Sequence, residues 1–165
     1  MLDNGARGTT IAAIMAPRTR LPFAEALRSS TLVFDGAMGT ALYERGLLYT
    51  QSFDEANLSR ADLVRKVHES YVAAGCDVLE TNTFGANTYR LRPHGLESKV
   101  AEINTAGVRL AREASAGRCY VTGSVGPTGL MLKTVRPEEH DAIRKAFEEQ
   151  CVALRDAGVD ALVLE

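Results

Sequence analysis

Four short apolar runs rich in strand-forming residues recur along this chain: TLVFD (31–35), DVLE (77–80), CYVTGS (119–124) and DALVLE (160–165). Each closes on a polar side chain, and those closing residues, Asp35, Glu80, Ser124 and Glu165, follow at intervals of 45, 44 and 41 positions. That period is longer than a solenoid repeat and matches one strand, one helix and their loops. The segments between the runs carry the helical signal. Ser59 with Asp62 makes a capping-box-like start, Leu63, Val67 and Tyr71 follow at helical spacing, and Gly75 supplies the stop. From Ser98 onward Val100, Ile103, Val108, Leu110 and Ala111 mark a second helix. Pro137 opens a third, with Glu138 and Glu139 in its positive first turn, Ile143, Phe147 and Leu154 on its apolar face, and Gly158 at its end. Strands alternating with helices are the signature of parallel βαβ units. The predicted fold is therefore α/β, built of parallel (β/α) units; eight such units would need roughly twice this length, so the chain is compatible in size with about half of a (β/α)8 barrel.

The 165 residues suit one domain with a sizeable core. Residues 1–30 are expected to form a partly disordered extension, loosest over 1–20, with Met15 as a second plausible start; the half-barrel occupies 31–165. A formal net charge of −2 and the lack of a Lys/Arg-rich block argue against nucleic acid as a partner. No run approaches membrane-spanning length, and the first twenty residues lack the long apolar segment of a secretory signal, so a cytoplasmic location is expected. Three cysteines without a C-x-x-C pair fit neither a disulfide framework nor a zinc knuckle. The chain stops at Glu165 on a strand, with no helix after it to cover that strand. It reads as a fragment whose open sheet edges invite self-association.

In parallel α/β folds the ligand site lies at the carboxyl ends of the strands. The near-repeat AAGCDVLE (73–80) and DAGVDALVLE (156–165) ends a strand twice on a carboxylate. Such groups need a cationic or hydrogen-bonding partner, and a bound ammonium would serve. FDGAMGT (34–40) adds Asp35 at a strand end and offers Gly36 and Gly39 for positive φ and close backbone approach. ETNTFGAN (80–87) places Glu80, Asn82, Thr83 and Asn87 beside Phe84 on the same expected face. TGSVGPTG (122–129) is neither a dinucleotide fingerprint nor a P-loop, though its N–H groups suit a carboxylate or oxyanion. Cys76 and Cys119 fall at the opposite end of the sheet and Cys151 within a helix, so all three are assigned to packing. His68, His94 and His140 pair with no nucleophile at catalytic spacing, and no elbow motif surrounds Ser124.

LVFDGAMGT, ETNTFGAN, YRLRPHGLESKVAEIN and GSVGPTG, in this order, resemble the homocysteine S-methyltransferase family over about residues 31–165. The GANTYRL…GLE…IN stretch is most similar to bifunctional members joined to a methylenetetrahydrofolate reductase. The resemblance implies a barrel in which zinc, held by three cysteine thiolates, binds homocysteine as a thiolate that takes a methyl group and gives methionine. It also implies that Asp35, Gly36, Gly39 and Thr40 hold the amino-acid end of homocysteine together with Glu165, while Asn82, Thr83 and Ser124 shape the pocket. The zinc cysteines of the family follow its sixth and eighth strands, so this chain is expected to carry no metal ligand or catalytic residue and to be inactive alone. The methyl donor is left open. Two other readings stand beside this one: a non-catalytic half-barrel interaction module, and a binding domain for another small acid.

Overall fold

A computed structural model describes residues 20–165. In chain order its elements are α1 (Phe23–Ser29), α2 (Met38–Glu44), α3 (Ala56–Ser59), α4 (Ala61–Ala74), β1 (Val78–Glu80), α5 (Thr88–Leu91), α6 (Val100–Ser115), β2 (Tyr120–Val125), α7 (His140–Asp156) and β3 (Ala161–Leu164). The strands form one sheet in the order β1-β2-β3, and both pairings are parallel. The α/β class and parallel sheet are those expected from the alternation of periods.

The first apolar run departs from expectation. Residues 31–35 lie beside β1 but contribute one bridge, Phe34 to Val78, rather than a strand. Carboxylates interrupt the ladder on both sides of that bridge. Downstream, Glu80 N–H donates to Asp35 Oδ1 at 3.1 Å, and upstream Val33 N–H donates to Asp77 Oδ2 at 2.9 Å. The bonds that stay between backbones are central: Val33 O accepts from both Asp77 N–H and Val78 N–H, and Asp35 N–H donates to Val78 O.

The Asp of the near-repeat is explained in the same way. Asp77 accepts from Val33 N–H, and Asp160 accepts from Val121 N–H at 2.7 Å while pairing with Arg112 at 2.9 Å. Each Asp thus holds the neighbouring strand at the sheet's N-terminal end. The preceding Gly75 and Gly158 adopt φ of 96° and 89°, the left-handed conformation that stops a helix and turns the chain into the strand.

Helices α4, α6 and α7 are adjacent, and α6 is the most deeply embedded. Val64, Val67 and Leu110 join Leu42 and Leu47 in one core, while Val108, Val125 and Leu154 form another beneath α7. The expected capping box at Ser59 does not form: Ser59 Oγ donates to Glu55 Oε2, and α4 starts after Arg60 without a side-chain cap. Pro137 opens a 3-10 turn, Pro137–Glu139, before α7, and Glu139 accepts from Arg136 N–H at 2.9 Å. The expected loose tail over 1–20 lies, apart from Arg20, outside the described residues. Within the expected extension, α1 docks on the sheet. Ala26 meets Val78 and Tyr120, Phe23 packs edge-on against Tyr120 with ring centroids 5.2 Å apart, and Tyr120 Oη donates to Leu21 O. No described helix is long and apolar enough to cross a membrane.

Replacing Asp160 by Ala leaves the Val121 N–H and the Arg112 guanidinium without this acceptor. The expected loss is about 1–3 kcal/mol of unfolding free energy, read as a lower urea midpoint at unchanged slope.

Candidate functional site

The strand stagger brings the polar residues together. Thr122 lies beside Glu80, and Val163 beside Ser124, so each step across the sheet gains two residues toward the C-terminal end. Side chains alternate along a strand, so Glu80, Ser124 and Glu165 share one face as a diagonal staircase. Ser124 Oγ donates to Glu165 Oε1. Asp35, at the edge of the staircase, keeps its carboxylate on the Glu80 N–H. The staircase opens into a cavity of about 640 Å³ whose walls include all eight residues assigned from sequence: Asp35, Gly36, Gly39, Thr40, Asn82, Thr83, Ser124 and Glu165.

Asp35, Glu80 and Glu165 crowd this mouth, while the basic side chains of the cavity lining, Arg90 and His94, stand beside Asp54. Burial pushes Asp35 up to about 7, against the pull of its backbone hydrogen bonds. Burial, followed by the negative charges of Glu165 and Asp35, pushes Glu80 up to about 7. These are the two physical conditions, desolvation and like charge, that hold a proton on a carboxylate.

The glycines and amides have more specific roles than the sequence indicated. Neither Gly36 nor Gly39 has positive φ. Gly36 is small because of Tyr71, whose hydroxyl donates to Ala37 O and lies 3.0 Å from where a Cβ would sit. Tyr71, read from sequence as a packing residue of a helical stripe, therefore fixes the Asp35 loop from α4. Gly39 and Thr40 lie in the first turn of α2, which has no side-chain cap. Asn82 and Thr83 line the cavity, yet their polar groups are turned into the scaffold. Asn82 Nδ2 donates to Phe53 O at 2.7 Å and to Asn57 Oδ1 at 3.1 Å. Thr83 Oγ1 donates to Ser124 O at 2.8 Å, and Gln150 Nε2 from α7 donates to Thr83 O at 2.7 Å.

Asn57 is the keystone of this region. Fully buried, it donates to Asn82 O at 2.7 Å and to Ile103 O at 3.2 Å, joining the β1 loop to α6. Gly107 in α6 makes room for it, since a Cβ there would lie 2.8 Å from Asn57 Nδ2 and 2.7 Å from Thr83 Cγ2. In the Gly-rich loop after β2, one of the N–H groups read from sequence as suited to an anion is already engaged by the backbone. Gly126 N–H donates to Phe84 O, and the cavity wall includes only Ser124 from this stretch.

Sequence reasoning missed the far wall, built by Tyr49, Phe53, Asp54, Arg90 and His94. Asp54 accepts from Gly85 N–H at 2.8 Å, and burial pushes it up to about 6 despite that bond and the nearby Arg90 and His94. An Asp just before a short helix reads as an ordinary cap, and nothing in SFDEAN distinguishes it. His94, given no role from sequence, stands at this wall, whereas His68 is buried in α4 and His140 begins α7.

The cysteines do not fit a zinc site. Cys76 and Cys119 lie at the other end of the sheet, Cys151 packs beside Leu154, and among the described residues no three His, Cys, Asp or Glu side chains are grouped to hold a metal.

A parallel sheet whose titratable groups gather at the C-terminal strand ends defines a domain of the parallel α/β class. The family described as Homocysteine S-methyltransferase matches residues 32–165, and the chain belongs to it. Methionine synthase from Mycobacterium leprae (strain TN) is 33% identical over 156 residues, covering 86% of this chain. Methionine synthase from Mycobacterium tuberculosis (strain ATCC 25618 / H37Rv) is 32% identical over 153 residues, also covering 86%. The chain spans 13% of the length of each. The metallated form of the homocysteine methyltransferase MmuM from Escherichia coli superposes with a TM-score of 0.72 at 29% identity, over 88% of this chain and 57% of that one. Its apo form gives a TM-score of 0.62.

Two outcomes check this geometry. Gly107→Ala forces Asn57 and Thr83 apart and lowers stability by about 1–3 kcal/mol in chemical denaturation. For Asp35, Glu80 and Asp54 the folded-state pKa lies above the unfolded one, so each binds more protons when folded and stability falls as pH rises from about 4 to about 7. Buried His68, pushed down to about 4, acts oppositely, losing stability as pH falls below 6.5. Three carboxyls outweigh one imidazole, so the ligand-free melting temperature declines with pH across this window. The Asp35→Asn variant, which keeps an acceptor for Glu80 N–H, shows a shallower decline.

Proposed function

We propose that this chain is the amino-acid-binding part of a homocysteine S-methyltransferase, holding homocysteine while the complete protein transfers a methyl group to its sulfur and forms methionine. The observation that carries the reading is the carboxylate staircase. Two groups held near neutrality and a third beside them await a positive charge, and the α-ammonium of an amino acid supplies one. Family membership supports homocysteine as that amino acid.

Asp35 and Glu165 accept from the substrate ammonium, with Glu80 between them contributing field. Backbone N–H groups of Gly39 and Thr40 in the first turn of α2 receive the substrate carboxylate, as helix N-termini receive anions generally. Ser124, Asn82 and Thr83 keep the staircase and its rim rigid, so the amino-acid end is fixed and the side chain points to the open part of the cavity. In the complete protein a zinc ion would stabilise the homocysteine thiolate; the cysteines of this chain are not its ligands, and no step on the metal is assigned to them.

The edge of the sheet supports a compatible second reading. β3 has no further strand beside it among the described residues, Leu164 on it is 76% exposed, and Val33 at the opposite edge is 57% exposed. These edges fit more strands, supplied by the rest of a barrel or by another copy of the chain. Size-exclusion chromatography checks this: a monomer that ignores added C-terminal half-barrel would sink it.

In the complete protein Glu165→Gln raises KM for homocysteine about tenfold or more, the cost of a charge-assisted hydrogen bond, with a smaller change in kcat. An unchanged KM removes Glu165 from the site. Because the ammonium favours ionised carboxylates, homocysteine binding releases protons, and its affinity rises as pH climbs toward and past 7. Calorimetry in buffers of different ionisation enthalpy reads this directly.

A further inference from the structure

Cys76 and Cys119 have no part in the carboxylate site. They precede β1 and β2 at the opposite end of the sheet, 43 residues apart in sequence, yet their sulfurs lie 3.9 Å apart. Cys119 Sγ also donates to Cys76 O at 3.2 Å. Both pack with Val72, Leu79 and Tyr71 in one small cluster beside α4. The backbone holds this approach. Tyr120 N–H donates to Asp77 O beside the pair, and Ser115 Oγ brackets Cys119 by accepting from its N–H at 3.1 Å and donating to its carbonyl at 2.9 Å. Cys119 is 2% exposed, whereas Cys76 is half-buried and reachable.

We propose that Cys76 and Cys119 form a paired-thiol modification site that closes to an intrachain disulfide on exposure to a small-molecule disulfide. Neighbouring strands about 4.8 Å apart and a one-residue offset of about 3.3 Å put the two Cα atoms within the separation that disulfides span. Closure therefore needs side-chain rotation more than backbone displacement. Cys76 loses its proton to solvent and its thiolate attacks one sulfur of the oxidant, breaking the oxidant's S–S bond and expelling one thiolate. Cys119 then loses its proton and attacks Cys76 Sγ in the mixed disulfide, expelling the second thiolate. Two electrons pass from the cysteine pair to the oxidant, and the two protons end on the released thiols.

Burial pushes Cys76 up to about 12, and it raises Cys119 as well, so the reaction is slow at neutral pH and quickens as base is added. The bond, once formed, has no stabilised thiolate favouring its reduction. It ties β1 to β2 at the end opposite Glu80 and Ser124. Cys151, which packs beside Phe147 and Leu154, is the internal control.

The test is incubation of the native chain with oxidised glutathione from pH 7 to 9, followed by thiol counting and peptide mapping. The expected result is a fall from three thiols to one, a Cys76–Cys119 linked peptide, and a rate rising up to about tenfold per pH unit. The oxidised chain should melt several degrees higher, since the link restricts the unfolded state. Three remaining thiols, a stable glutathione adduct without closure, a bond to Cys151, or a lower melting temperature would each overturn the proposal. A Cys151→Ser variant should close as the parent does; failure to close counts equally against it.

Discussion

The two-residue stagger between successive parallel strands is the constraint from which the site follows. Without it Glu80, Ser124 and Glu165 would stand at unrelated heights; with it they make one diagonal line on one face, and Ser124 can reach Glu165. The same tilt that lets strands close toward a barrel thus concentrates negative charge at its mouth. At the other end of the sheet the carboxylates are paired instead, with Asp77 and Asp160 taking backbone N–H groups of the neighbouring segments.

Rigidity around the mouth comes from buried amides rather than from the carboxylates. Asn57, Asn82 and Gln150 tie the β1 loop to the segment at Phe53, to α6 and to α7. Each hydrogen bond is modest in net energy, but leaving any of these buried groups unpaired is costly, so the loop has one good position. A binding surface for a small, charged amino acid needs that fixity more than it needs many direct contacts.

The two halves of the near-repeat divide the labour of one strand. Its Gly stops the preceding helix, its Asp anchors the strand's start, its apolar residues fill the sheet, and its Glu faces the cavity. A carboxylate at the start is structural and one at the end is available, although the two residue types are chemically alike. Position relative to the strand's direction decides the difference, because ligand loops gather only at the C-terminal end.

Period and spacing in the sequence determined the parallel α/β class, the helices around Val67, Ile103 and Phe147, and the strand-end positions of Glu80 and Glu165, since these depend on local patterns of burial and turn chemistry. Tertiary structure alone decided the rest. The run at 31–35 reads as a strand, but side chains of Asp35 and Asp77 replace its outer rungs; Gly36 reads as a flexible turn, but it yields to the Tyr71 ring. Asp54, Asn57 and Cys76 look ordinary in the sequence because their partners, Gly85, Asn82 and Cys119, are 25 to 43 residues away. Local propensity carries no information about which distant groups a folded chain will press together.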